Sequence, residues 1–279
     1  MAPPASGLCF HCNQPCTLRC AQCSSVFFCS RECQQAVWPD HESFCEKIAQ
    51  PIQCDDPTAL TVLVVDGLGP LEYFSEYTEN LVFQLNRSSL NAIVLDATKG
   101  RNIPKQIASL LQSRCRPHTI IMLGWGSDRI PVANELGTSP DFQSALVQFV
   151  QHGGSLVVQG ERMCGAWPRW FGKDAWATRQ TSYYRTDHEC IPVKQPNHPS
   201  AWYTTIPNAH TGNYNVKAFM LGGLDANDIL YGEVDHDGCA AVALATYGRG
   251  TISFFGDVNW EDSTLKLMTD LAKYRPPLS

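Results

Sequence analysis

Beyond Pro51, short apolar and β-branched runs alternate with longer stretches in which apolar residues recur every three or four positions. The runs predict strands over 61–66, 91–96, 119–123, 155–159, 241–247 and 251–255. The longer stretches predict helices over 71–86, 104–113, 140–152 and 262–274. Continuous runs such as Val62 to Val65 suit strands buried on both faces, and helix-length connections suit parallel crossovers. The expectation for 58–279 is therefore an α/β fold: a doubly wound, mostly parallel sandwich of the flavodoxin-like kind. Tyr247, Gly248, Arg249 and Gly250 read as a hairpin turn that makes the last strands an antiparallel edge. Residues 162–240, rich in aromatics, Pro, Asn and His, read as a long excursion covering one end of the sheet.

The first fifty residues lack that pattern. Their large apolar residues are few and irregularly spaced, and Pro51 to Pro57 reads as a linker, so 1–50 is expected to be a separate small domain. Cysteine use marks the same boundary: of 13 cysteines, eight precede residue 46. That asymmetry argues for a local metal site in a reducing compartment, not for disulfides. The start has neither a basic nor an apolar leader segment, and no run of about 18 apolar residues occurs. A cytoplasmic or nuclear protein with no membrane partner is expected. Net charge is −6, and the first fifty residues carry three basic against four acidic groups. Nucleic-acid binding, which needs clustered cations, is disfavoured.

Metal-ligating residue types fall in four pairs: Cys9 with Cys12, Cys20 with Cys23, Cys29 with Cys33, and His41 with Cys45. A C-x2-C turn aims two thiolates at one ion, and a three-residue gap places two ligands on one face of a helical turn. Cys29 and Cys33 are expected on such a turn with Ser30 near its N-cap, and His41 and Cys45 on a second helix capped by Asp40. Eight ligands make two tetrahedral zinc sites with no position left for water, so the two Zn2+ are structural. Spacing permits either sequential or interleaved sites.

With Phe28 before Cys29, Gln34 after Cys33 and Trp38 three residues before His41, residues 9–45 resemble a MYND-type zinc finger. The resemblance implies interleaved, cross-brace sites: Cys9, Cys12, Cys29 and Cys33 for one zinc, and Cys20, Cys23, His41 and Cys45 for the other. His11 and Cys16 fall outside its ligand pattern. It also implies a protein-interaction module that takes a proline-containing peptide beside Gln34 and Trp38. An aromatic beside an amide donor suits such an extended ligand.

The order of strands, glycines and the closing Phe254, Phe255, Gly256, Asp257 and helix resembles the class I glutamine-amidotransferase-like superfamily over about 58–275. Catalytic members carry a cysteine two residues beyond the elbow glycine. Here that glycine is Gly160 and the residue is Arg162, with Cys164 displaced by two and no histidine near Gly256. Nucleophile and base are both missing from their stations. Asp66, Asp96, Asp128, Glu161 and Asp257 fall at carboxyl ends of predicted strands, where ligands bind in open α/β sheets, but Asp also commonly caps a following helix. The expected function is a zinc-dependent adaptor with a non-catalytic α/β domain. The alternative is a hydrolase-type enzyme that the finger recruits to partners.

Overall fold

The computed structural model describes residues 7–12, 14–21, 26–49, 60–68, 72–97, 103–112, 116–124, 139–160, 167–178, 188–192, 214–233, 239–258 and 260–275. At the N-terminal end, β1 (Gly7–Leu8) pairs antiparallel with β2 (Pro15–Cys16), and β3 (Leu18–Arg19) with β4 (Phe27–Phe28). A single helix, α1 (Arg31–Ala49), follows and carries Pro39 in its interior. The expected second helix is thus a continuation of the first, and Asp40 lies inside it instead of starting it. Proline costs a free helix about 3 kcal/mol. Here Cys33 and Cys45, on either side of Pro39, meet Cys29 and Cys20 just beyond β4 and β3, and the helix runs through.

Five mutually parallel strands form the centre of the larger unit: β5 (Thr61–Asp66), β6 (Asn91–Asp96), β7 (Thr119–Leu123), β8 (Ser155–Gln159) and β14 (Gly250–Phe255). Their spatial order is β14, β8, β7, β5, β6, so the direction of the winding reverses between β5 and β7. The helices are α2 (Glu72–Arg87), α3 (Ile103–Leu111), α4 (Pro140–Gln151) and α6 (Asp262–Lys273).

Alternate residues along each strand enter two apolar clusters, as the period of two dictates. Leu63, Val65, Ile120, Met122, Leu156, Val158 and Phe254 pack with Ile107 and Leu110 of α3 and with Phe142 and Leu146 of α4. Val62, Val64, Ile121, Val157 and Phe255 pack with Leu81 and Leu85 of α2 and with Leu267 and Leu271 of α6. Two glycines set the close approach of α4 to the sheet. A Cβ on Gly250 would collide with the Gly154 and Val150 carbonyls, and one on Gly154 would enter the Phe149 ring.

The hairpin at Gly248 and Arg249 joins β13 (Cys239–Tyr247) to β14 in antiparallel register, Tyr247 facing Gly250. It does not make an edge. The sheet continues past β13 through β12 (Ile229–Glu233), β9 (His188–Pro192) and β10 (Tyr214–Val216), all antiparallel, with β11 (Leu221–Gly222) also on β13. The segment 162–240 therefore extends the sheet as well as flanking it. Its other described part is compact: a 3-10 turn over Trp167–Phe171 and the short α5 (Asp174–Thr178) bury Trp167, Phe171 and Trp176. Phe171 stands edge-on to Tyr247 with centroids 5.2 Å apart. The carboxylate of Asp228 accepts from Lys173 Nζ at 2.8 Å and from Trp176 Nε1 at 3.0 Å, which locks this aromatic plug to the start of β12.

Candidate metal centre

The finger's fold brings chain-distant cysteines together. Cys9 follows β1 in a turn held by Cys9 N–H to Gln14 O and by Phe10 N–H to Phe27 O, which lays the Cys9–Cys12 loop beside β4. Cys29 ends β4, and Ser30 Oγ accepts from Cys33 N–H at 3.3 Å, the N-cap bond that starts α1. The sulfurs of Cys9, Cys12, Cys29 and Cys33 consequently all lie within 4.8 Å of one another. Three of the separations are 3.4 Å for Cys12 and Cys29, 3.3 Å for Cys29 and Cys33, and 3.9 Å for Cys12 and Cys33. A tetrahedral ion with Zn–S bonds of about 2.3 Å sets its sulfurs about 3.8 Å apart, so the cluster fits zinc with little movement.

A second group joins Cys20, at the end of β3, to His41 and Cys45, one turn apart on α1. Its two sulfurs lie 3.6 Å apart. Cys23 lies outside the described residues. The groups interleave along the chain, since the Cys20 position falls between the two halves of the first. His11 and Cys16 belong to neither group.

The two groups sit in different surroundings. Cys12 and Cys29 are exposed and Cys33 half-buried, whereas Cys20, His41 and Cys45 are all buried. Around His41 stand the rings of Phe10, Phe28 and Trp38, with centroids 6.1, 6.1 and 5.9 Å away. Burial lowers the His41 pKa to about 4, keeping the imidazole neutral as a metal ligand must be. In the first group burial raises the Cys9 thiol, but N–H groups of Cys12, Cys29 and His11 outweigh it and bring the thiol down to about 6. Cys29 moves the opposite way, raised by thiol contacts with Cys33, Cys12 and Cys9. Sulfurs this crowded do not all ionise alone, and a divalent cation relieves the conflict.

Gln34 and Trp38 stand one turn apart on α1, both half-buried. Trp38 meets the His41 ring edge-on and packs against an apolar cluster that the finger shares with α3 and α4. Phe10, Val26, Phe28 and Val37 belong to that cluster together with Ile107 and Phe142. Lys105 of α3 completes the junction: its Nζ donates to the Phe10 carbonyl and stands 5.0 Å from the centre of the Phe10 ring. Nothing in the sequence pattern marked Lys105.

At the carboxyl ends of the parallel strands Asp66, Asp257 and Gln159 are each tied to neighbouring groups. Asp66 accepts from Leu68 N–H at 3.0 Å and from Thr78 Oγ1 at 2.9 Å, and Asp257 accepts from Thr264 Oγ1 at 2.6 Å. Gln159, buried, accepts from Gly124 N–H and donates to the Asp257 carbonyl, both at 3.0 Å. These two carboxylates tie the strand ends to side chains of the following helices, Thr78 of α2 and Thr264 of α6. Asp128, Glu161, Arg162 and Cys164 lie outside the described residues.

Among known proteins, the model of the MYND finger family matches residues 9–45. Mouse (Mus musculus) Tudor domain-containing protein 1 is 23% identical over 167 residues, covering 58% of this chain and 14% of that protein. The chain thus spans about a seventh of that relative's length. A cytoplasmic protein from Salmonella typhimurium superposes with a TM-score of 0.48 at 12% identity, over 77% of this chain and 98% of its own. A thua-like protein from Parabacteroides merdae superposes with a TM-score of 0.49 at 11% identity, over 79% of this chain and 91% of its own. Both likenesses are too low to carry an assignment for the α/β unit. The finger is a different matter, for there the family match and the two ligand groups coincide: residues 9–45 are a MYND-type, zinc-binding finger.

Proposed function

We propose that this protein is a zinc-dependent adaptor. Its finger holds two structural zinc ions, one on Cys9, Cys12, Cys29 and Cys33 and one on Cys20, Cys23, His41 and Cys45, and presents the Gln34 and Trp38 face of α1 to a partner protein's proline-containing segment. The observation that carries this reading is the pair of interleaved ligand groups inside the family match. Every metal position is taken by protein, so the ions build a surface and activate no water. Trp38 supplies a flat apolar wall and Gln34 an amide for the extended peptide's carbonyls, the usual way a polyproline-like ligand is held.

The α/β unit is read as a doubly wound, amidotransferase-like scaffold that serves as a second binding surface without catalysis. Supporting this are the bonds that tie Asp66 to Thr78 and Asp257 to Thr264, and a sequence with Arg162, not a cysteine, two residues beyond Gly160. Location in cytoplasm or nucleus, where thiols stay reduced, is part of the proposal.

The test is titration of the zinc-loaded chain with a fluorescent proline-rich peptide library, with Trp38→Ala beside the wild type. Selected peptides should lose at least about tenfold in affinity, the scale of losing one aromatic anchor. Undiminished binding in Trp38→Ala moves the peptide site off this face.

A further inference from the structure

Lys105 stands at the junction of the two units. It belongs to α3, yet its ammonium donates to the carbonyl of Phe10, in the loop between the ligands Cys9 and Cys12, and lies over the Phe10 ring. It is half-buried. Burial lowers its pKa, while the charges of Cys9, Asp141 and Cys12 raise it again. Half-burying an ammonium is unfavourable unless negative charge faces it. Phe10 lies between two ligands of one ion, so metal binding fixes the loop that carries the carbonyl Lys105 bonds. Metal loading therefore decides how firmly the acceptor of Lys105 is held.

We propose that Lys105 couples occupancy of the four-cysteine zinc site to the seating of the finger on α3, so that the α/β unit senses whether this one metal is bound. The carbonyl bond fixes the Cys9–Cys12 loop in ligand geometry, and the ion, by fixing that loop, keeps the carbonyl in place for Lys105 in return. Cooperation of this kind is reciprocal: if zinc tightens the junction, the junction tightens zinc by the same factor. The four-cysteine site is the one suited to report, because Cys12 and Cys29 meet solvent while Cys20, His41 and Cys45, the described ligands of the other group, are buried. Loss of the accessible ion then loosens the junction while the second ion keeps the finger folded.

This inference rests on zinc loading, so the full chain is first loaded with cadmium-113, whose resonance separates a four-sulfur site from one with a histidine ligand. A chelator is then added stepwise, and hydrogen exchange is followed by mass spectrometry. Loss of the four-sulfur signal should raise exchange in residues 103–111 while 155–159 stays protected. Lys105→Met, which keeps the apolar stem, should release that ion about tenfold faster, the usual scale for removing a residue that supports a ligand. Lys105→Arg should restore the wild-type rate, and release from the histidine-containing site should be unchanged in both. Unaltered exchange in 103–111 of the wild type after the first ion leaves overturns the coupling, whatever the variants do. Equal release rates in wild type and Lys105→Met overturn it as well. A chain that takes up no metal instead removes the zinc reading on which the coupling stands.

Discussion

In residues 7–49 the large buried apolar side chains among the described residues are Phe10, Val26, Phe28 and Val37, whereas in β5 alone Val62, Leu63, Val64 and Val65 are all at or below 1% exposure. The finger and the α/β unit are thus held by different chemistry. One gathers polarizable ligands around ions, and the other removes apolar faces from water on both sides of a sheet. Four such side chains, at about 1.5–3 kcal/mol each, fall well short of the ordering entropy of some forty residues. The finger's fold is therefore expected to depend on metal even with its share of the cluster on α3 and α4, and the α/β unit's is not.

The largest effect that tests this contrast is metal removal. Complete chelation should unfold residues 9–45 outright, since each structural zinc contributes on the order of 10 kcal/mol. Circular dichroism should lose the helix signal of α1, with 119–123 and 155–159 still protected from exchange. Loss of protection there as well would show that the two units fold as one. Next comes Phe254→Ala, at a fully buried position. A cost of about 3–5 kcal/mol should appear as a lower Tm for the α/β unit while elemental analysis still finds two zinc ions per chain.

Lys173→Met leaves the Asp228 carboxylate short of its cation, and Lys173 retains 26% side-chain exposure in that pair. The expected loss is about 2–3 kcal/mol, below the full figure for a wholly buried pair because solvent shares the load. Urea unfolding of the α/β unit measures it, and a loss near zero would mean that the Asp228 bond to Trp176 suffices. The smallest effect is Ser30→Ala, which removes the cap on Cys33 N–H for about 1 kcal/mol. Zinc should leave the four-cysteine group slightly faster, with the α/β unit's Tm unmoved.

The same contrast explains what the sequence disclosed. Strands 61–66, 119–123 and 155–159 are legible because burial on two faces writes itself as an unbroken apolar run; 91–96, mostly half-buried at the end of the strand order, still carries the run Ala92 to Leu95, and all four observed bounds coincide with the expected ones. Ligand groups are legible because a metal demands residue type and spacing together. The antiparallel arm is not: His188 to Pro192 and Tyr214 to Val216 are short and chemically mixed, and their pairing partners lie far along the chain. Asp228 gave no signal either, since its value depends on Lys173 and Trp176, more than fifty residues earlier. Pro39 misled in the ordinary way, local propensity yielding to anchors at both ends of α1. Lys105 belongs to neither alphabet, being one cation whose meaning lies in another unit.

The place of β14 has a consequence for how the protein is born. Residues 250–255 lie between β8 and β13, yet they leave the ribosome after both. Until then a nascent chain holds β8 with one side open, and β13 has no partner on that side, two long apolar edges of the sort that recruit other chains. Synthesis delivers residues at about 5–20 per second, so some ninety residues separate the two neighbours by several seconds. The finger is complete, given zinc, before the first strand of the sheet emerges. A stop or frameshift shortly before β14 would therefore leave a well-formed binding module joined to a sticky, half-built sheet, and a ribosome-bound series of growing lengths should show chaperone association rising after β8 and falling once β14 and α6 are out.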